Sequence, residues 1–177
     1  MTDIRIPTLA RRRGVWVALA VFVVLAVVAL TLLQPWKLWI DETVDEPLGA
    51  GTAAQGNIAG ATVLAKGTFI SHEHDTTGTA SIVQAADGTR HLRLADLDTS
   101  NGPALKVWLT DAPVIPGIDG WRVFDDGRHL DLGDLKGNKG SQNYELPADA
   151  DLATYRSVSI WCERFRVSFG AVELSRP

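Results

Sequence analysis

The sequence predicts an all-β domain, a sandwich or closed barrel of about nine short strands, preceded by one N-terminal transmembrane helix. Three observations predict it. Residues 14–33 contain no charged side chain. From Ala61 onward, short stretches rich in Val, Ile, Leu, Thr and aromatic residues recur between clusters of Gly, Pro, Asn and Asp, at roughly 8–12-residue spacing. No segment of that second part carries a sustained helical apolar period.

Residues 1–13 read as a basic cytoplasmic tail, with Arg5, Arg11, Arg12 and Arg13 ahead of the apolar run. Gly14 to Leu33 follows as a transmembrane helix. Twenty helical residues span ~30 Å, the thickness of a bilayer's hydrocarbon core. A cleaved signal peptide is the competing reading, but its apolar region is usually only ~7–15 residues long. Trp36 and Trp39 after the run suit a membrane interface. Only Lys37 answers the four N-terminal arginines within the following fifteen residues, so the positive-inside bias places the N-terminus in the cytoplasm. The C-terminal part is then extracytoplasmic, on a single-pass anchor in the cell membrane.

Residues 34–60 are expected to be a flexible linker, because Asp41 to Gly60 is rich in Ala, Gly, Asp and Glu without apolar period. Twenty such residues would reach ~25 Å. Residues 61–177 form the β domain. Its expected strands are Thr62–Ser71, Thr79–Ala85, Arg90–Leu94, Leu105–Leu109, Trp121–Phe124, Arg128–Leu132, Gln142–Leu146 and two segments around Cys162. Gly88 and Gly127 mark Asp-Gly turns, and Asp151–Tyr155 fits one helical turn. Around Cys162, the residues Val158, Ile160 and Cys162 share one parity while Phe165, Val167 and Phe169 share the other. Both sets cannot bury on one side of one strand, so a bulge or bend is expected near Glu163–Arg164.

Charge narrows the function. Residues 34–177 carry 13 Lys and Arg against 20 Asp and Glu, which leaves no basic stripe for nucleic acid. Gly133 to Gly140 mixes lysines with glycines, but no Gly-Lys-Ser/Thr opens a helix there, so it reads as a turn rather than a phosphate cradle. No Gly-x-Ser-x-Gly elbow supports a hydrolase.

Cys162 is the only cysteine, so no internal disulfide can form. Two readings of it stand open. A free thiol often simply packs in a core, and its parity with Val158 and Ile160 supports that. Yet an unpaired thiol in an exported domain is exposed to oxidation, and Arg164 or Arg166 nearby would favour the reactive thiolate. A metal set of His72, His74 and Cys162 would suit copper or zinc, although His-x-His alone is a weak signal. A buried sulfur can also ligate a cofactor, with the bend and the Trp161 ring forming a pocket edge.

Four sequence blocks recur in an order that resembles the DM13 domain, the module also found in Skeletor-like proteins. They are Gly67-Thr68-Phe69 followed by His74 and Gly78; Gly102-Pro103 before Leu105 to Leu109; Asp131 through the glycine-rich run to Pro147; and Tyr155 through Val158, Ile160, Trp161 and Cys162 to Gly170. The likeness covers about residues 61–175. It implies a β-rich extracytoplasmic electron-transfer domain, with Cys162 as the family's redox cysteine and His74 as its histidine. It also implies action either as a naked thiol or through a prosthetic group such as haem; copper, which only the His72, His74 and Cys162 set suggests, is the lesser candidate. The expected partners are the membrane and a redox protein or quinone-linked donor. An electron-transfer module is favoured over a hydrolytic or transferase enzyme, and a binding or adhesion module with Cys162 as inert core is the alternative. Twelve Arg against five Lys, with abundant Ala and Val, hints at a bacterial source with GC-rich DNA.

Overall fold

The computed structural model describes residues 8–47 and 61–177. The chain divides into two units at Pro35/Trp36. The first holds one helix, α1 (Thr8–Leu33). From Val15 onward its apolar side chains are exposed all round, with no stripe reserved for a protein core. Residues Arg13–Leu33 are long and apolar enough to cross a membrane. The Thr31 hydroxyl donates to the Val27 and Val28 carbonyls, which satisfies its polar group within the helix. Gln34 then turns left-handed at φ 44°, its amide bonded to Leu30 O, and Pro35 prevents continuation.

Among the described residues, the second unit is a sandwich of ten strands. In chain order they are β1 (Thr43–Asp45), β2 (Thr62–Thr68), β3 (Ile70–Ser71), β4 (Thr77–Gln84), β5 (Arg90–Asp98), β6 (Leu105–Thr110), β7 (His129–Asp134), β8 (Lys139–Glu145), β9 (Ser157–Cys162) and β10 (Val167–Glu173). One sheet has the order β1-β8-β5-β4-β2 and the other β3-β10-β9-β6-β7. All pairings are antiparallel except the parallel pair β1–β8. Between the sheets lies the main core, with Ile82, Leu92 and Leu94 from the first, and Val107, Leu109, Val158, Ile160 and Cys162 from the second.

The all-β sandwich is therefore as expected, with differences in its parts. β5 continues past Leu94 to Asp98 because a bulge, with Asp96 at φ 52°, brings Leu97 back into the core. Gly78 lies opposite this bulge at φ 116°, where a side chain would meet the Ala95 and Asp96 carbonyls. The strand expected at Trp121–Phe124 does not form. A 3-10 turn at Ile118–Gly120 and further turns replace it, and Phe124 is buried beneath the loop instead of pairing. Asp151–Tyr155 makes the one helical turn, closed by the Tyr155 amide on Asp151 O.

The linker expected over 34–60 is corrected in part. Pro35–Trp39 is a 3-10 helix, and Thr43–Asp45 is docked as an edge strand on β8. Apolar patterning could not reveal this, because polar groups hold the strand. Asn138 Oδ1 accepts the Glu42 amide at 2.7 Å, and Asn101 donates to Ile40 O at 3.1 Å. Glu46 takes Lys136 Nζ and the Asn143 amide, each at 2.7 Å. The rest of the expected linker, residues 48–60, lies outside the described residues.

Candidate functional site

The bend expected near Glu163–Arg164 is a four-residue hairpin turn, 163–166, with Arg166 at φ 50°. It reverses β9 into β10, so Cys162 pairs with Val167 and, on its other side, with Leu105 of β6. A separate bulge at Phe169 returns that ring to the main core. The parity conflict in the sequence is resolved by these two features together. Phe165 is left exposed at the hairpin tip.

All six residues of β9 are buried, because both faces of its sheet are covered. Cys162, at 0 % exposure, belongs to the core between the sheets. Burial pushes its thiol above the ordinary range. Backbone amides of Phe165, Arg164 and Ala104 oppose the rise without closing hydrogen bonds of ordinary geometry, and the Glu73 carboxylate adds to it. The arginines do not activate the sulfur. Arg166 is committed to Asp125 at 2.6 and 2.8 Å, and Arg164 is exposed.

The histidines diverge. The chain bends at residues 72–74, and the His72 and His74 amides both reach Phe169 O. The His74 ring packs on Phe169 at 3.9 Å between centroids, and its Nε2 meets Glu73 Oε2 at 2.6 Å. Phe169 shares the core cluster of Cys162, so His74 borders that cluster, but no hydrogen bond joins its ring to the sulfur among the described residues. His72 turns the other way. Its Nε2 donates to Ile115 O at 3.2 Å, which leaves Nδ1 to accept from Ser168 Oγ at 2.9 Å. Burial holds its pKa below the ordinary value. Among the described residues, no three His, Cys, Asp or Glu side chains are grouped to hold a metal ion.

Trp161 is separated from Cys162 by the pleat. It is buried on the outer face of the sheet with Trp108, Phe124, Ala112 and Ala171, under the loop between β6 and β7. Its ring stacks on Trp108 and meets the edge of Phe124. Trp161 therefore forms no edge of a pocket around the thiol.

A cavity of about 370 Å³ lies beside the backbone neighbours of Cys162, bounded by Ala104, Leu105 and Glu163. Its other walls include Lys37, Glu42, Lys106 and Asn138, and Cys162 itself is not among the lining residues. A haem needs an apolar slot and an axial ligand facing it. This polar, charged recess with the sulfur turned away offers neither, so the residues present do not fit a haem on Cys162.

The glycine-rich run has a role that sequence reasoning missed. Side chains at Gly137 and Gly140 would run into the Glu42 and Val44 backbone, so these glycines form the seat of β1. Beside them, Gln142 Oε1 accepts the Lys136 amide at 3.0 Å and the Tyr144 hydroxyl at 2.7 Å. The unusual density of glycine was the available signal, but nothing in it named the strand it receives.

A family model described as Electron transfer DM13 matches residues 68–174. The match spans β3 to β10 and includes Cys162, His74, the glycine-rich seat and both faces of β9. The docked strand β1 and helix α1 lie outside it. No curated protein and no solved structure matches the chain.

Proposed function

The chain belongs to the electron-transfer DM13 family, and on that premise we propose that it is a membrane-anchored, outward-facing redox module working through the sulfur of Cys162 as a thiol without a bound cofactor. The observation that carries this reading is where the sulfur sits. It lies in the core at the last residue of β9, where the Glu163–Arg166 turn and the Gly102–Ala104 loop meet, tied by the Glu163 amide on Ala104 O. Cys162 makes the end pair of both ladders that β9 joins, with Val167 and with Leu105, so fraying of that end would release the thiol before the rest of the sheet opens. The apolar helix and the four arginines before it support the anchor and its orientation.

The chemistry balances as exchange. The thiol loses its proton to solvent, and the thiolate attacks one sulfur of a partner disulfide. A new S–S bond forms, and the partner's other sulfur leaves as thiolate. With a single cysteine in the chain, the resolving thiol must come from the partner. His74 serves as a positioning residue, holding Phe169 over the same end of the core.

Complete burial of the sulfur favours a second reading, a binding module with Cys162 as inert packing. An aromatic disulfide reagent applied to the full chain in detergent separates the two. Electron transfer expects modification much faster than global unfolding, reversed by dithiothreitol and abolished in Cys162→Ser. Modification no faster than global unfolding sinks the redox reading and leaves the binding module.

A further inference from the structure

Outside the thiol site, the outer face of the second sheet carries a continuous aromatic stack. The exposed His129 ring lies face to face on Trp108, with centroids 3.9 Å apart and planes at 13°. Trp108 stacks in turn on Trp161 at 5.0 Å and 23°. Trp108 is 6 % and Trp161 1 % exposed, so the stack leads from the surface at β7 inward to the penultimate residue of β9. We infer that Trp108 and Trp161 form a one-electron relay, entered at the His129 face, for a high-potential one-electron oxidant such as a higher-valent metal centre of a partner. The inference rests on the electron-transfer reading of the domain but not on its thiol.

Indole is among the side chains most readily oxidised by one electron, and two stacked indoles share the resulting charge. Sharing matters here because an isolated cation buried in apolar surroundings is costly. The nearby charges also favour a positive hole. Lys106 is met by both Asp134 at 2.7 Å and Asp131 at 3.7 Å, which leaves an excess of one negative charge at the β6–β7 edge. The Trp108 Nε1–H is buried without a hydrogen-bond partner among the described residues, so no neighbouring base stands ready to take its proton. The step is then electron transfer alone. One electron leaves the indole pair for the oxidant, no bond breaks, and the product is a radical cation that keeps its proton. An electron from a one-electron reductant, ascorbate in the test, restores the pair.

The test uses the full chain in detergent in a Cys162→Ser background, so that loss of the thiol reading and loss of the relay are told apart. A ruthenium polypyridyl photo-oxidant is attached at Arg128→Cys, an exposed position directly before His129 at the start of β7. After flash and quench, the expected result is ruthenium(III) reduction with appearance of a tryptophan radical cation. Trp108→Phe should slow that reduction by at least an order of magnitude, and Trp161→Phe should shorten the radical's lifetime severalfold. Phe124→Leu perturbs the same cluster without removing an indole and should change neither. An unchanged rate in Trp108→Phe, a lifetime unaffected by Trp161→Phe, or an equal loss in Phe124→Leu would each overturn the relay. So would a radical that has lost its proton.

Discussion

Trp161 and Cys162 are consecutive in the chain and buried on opposite faces of β9, at 1 % and 0 % exposure, in two clusters that share no side chain. The outer cluster exists because the loop between β6 and β7 covers a sheet face that a simple sandwich would leave wet. The two residues therefore report on different surroundings. The properties of the thiol follow from the inner core, and those of the indole from the stack above it.

The thiol's raised pKa sets an alkaline limit. An acid whose folded pKa lies above its unfolded value stabilises the fold fully below the unfolded pKa, and that contribution is lost as pH rises through the folded one. Thermal melts from pH 7 upward should show the parent losing stability above the ordinary thiol value of 9.0, with Cys162→Ala losing less. Tyr144, also raised by burial, stays common to both proteins and cancels in the comparison. Parallel curves for the two proteins would show that the thiol titrates as it does in solvent.

His72 has the opposite sign. Burial lowers its pKa, so the unfolded chain takes up a proton at a pH where the folded one does not. Stability present above the ordinary value of 6.5 should decline as the solution is acidified through the folded pKa. His72→Gln should flatten that decline while costing about 1–3 kcal/mol at neutral pH through its lost hydrogen bonds. Urea midpoints at a series of pH values check both parts.

The sandwich was legible because its strands announce themselves by Val, Ile and Leu alternation between glycine and aspartate turns, as in β4, β5 and β6. The site was legible only in part. Cys162 stood out as the sole thiol, and its inward parity with Ile160 held. His72 and His74 looked like a pair because period-two spacing assumes a straight strand, and the bend at 72–74 breaks that assumption. Phe124 seemed part of a strand because apolar character alone does not distinguish pairing from burial under a loop. The docking of β1 was invisible because it rests on Asn138, Glu46 and backbone groups, which leave no hydrophobic period.

The anchor reading has a direct check. If residues 14–33 span the membrane uncleaved, the mature protein should keep its N-terminus and stay with membranes through high-salt and carbonate washes. Recovery of a soluble product beginning after residue 34 would establish cleavage instead.

The seat of β1 has no room for a single methyl group. Gly140 sits at φ 93°, a left-handed conformation costly for any side chain, and its missing Cβ is the space occupied by the Val44 carbonyl. Gly140→Ala should therefore both strain β8 and push β1 off its edge, at about 1–3 kcal/mol for the backbone alone. Trypsin has a site at Lys37, in the 3-10 helix six residues ahead of the docked strand, and cleavage there should accelerate in the variant. Acid should act on the same element. Burial pushes the Glu46 carboxyl up, but Lys136 and the Asn143 amide more than offset this and hold it below the usual range. The tie is thus present above the unfolded value of 4.5 and lost as pH falls through the folded one. Mild acid, probed with a protease active there, should expose residues 40–47 before the sandwich melts, and Glu46→Gln should reproduce that exposure at neutral pH. If cleavage in Gly140→Ala and Glu46→Gln matches the parent, the strand is held by something other than the glycine seat and the Glu46 tie.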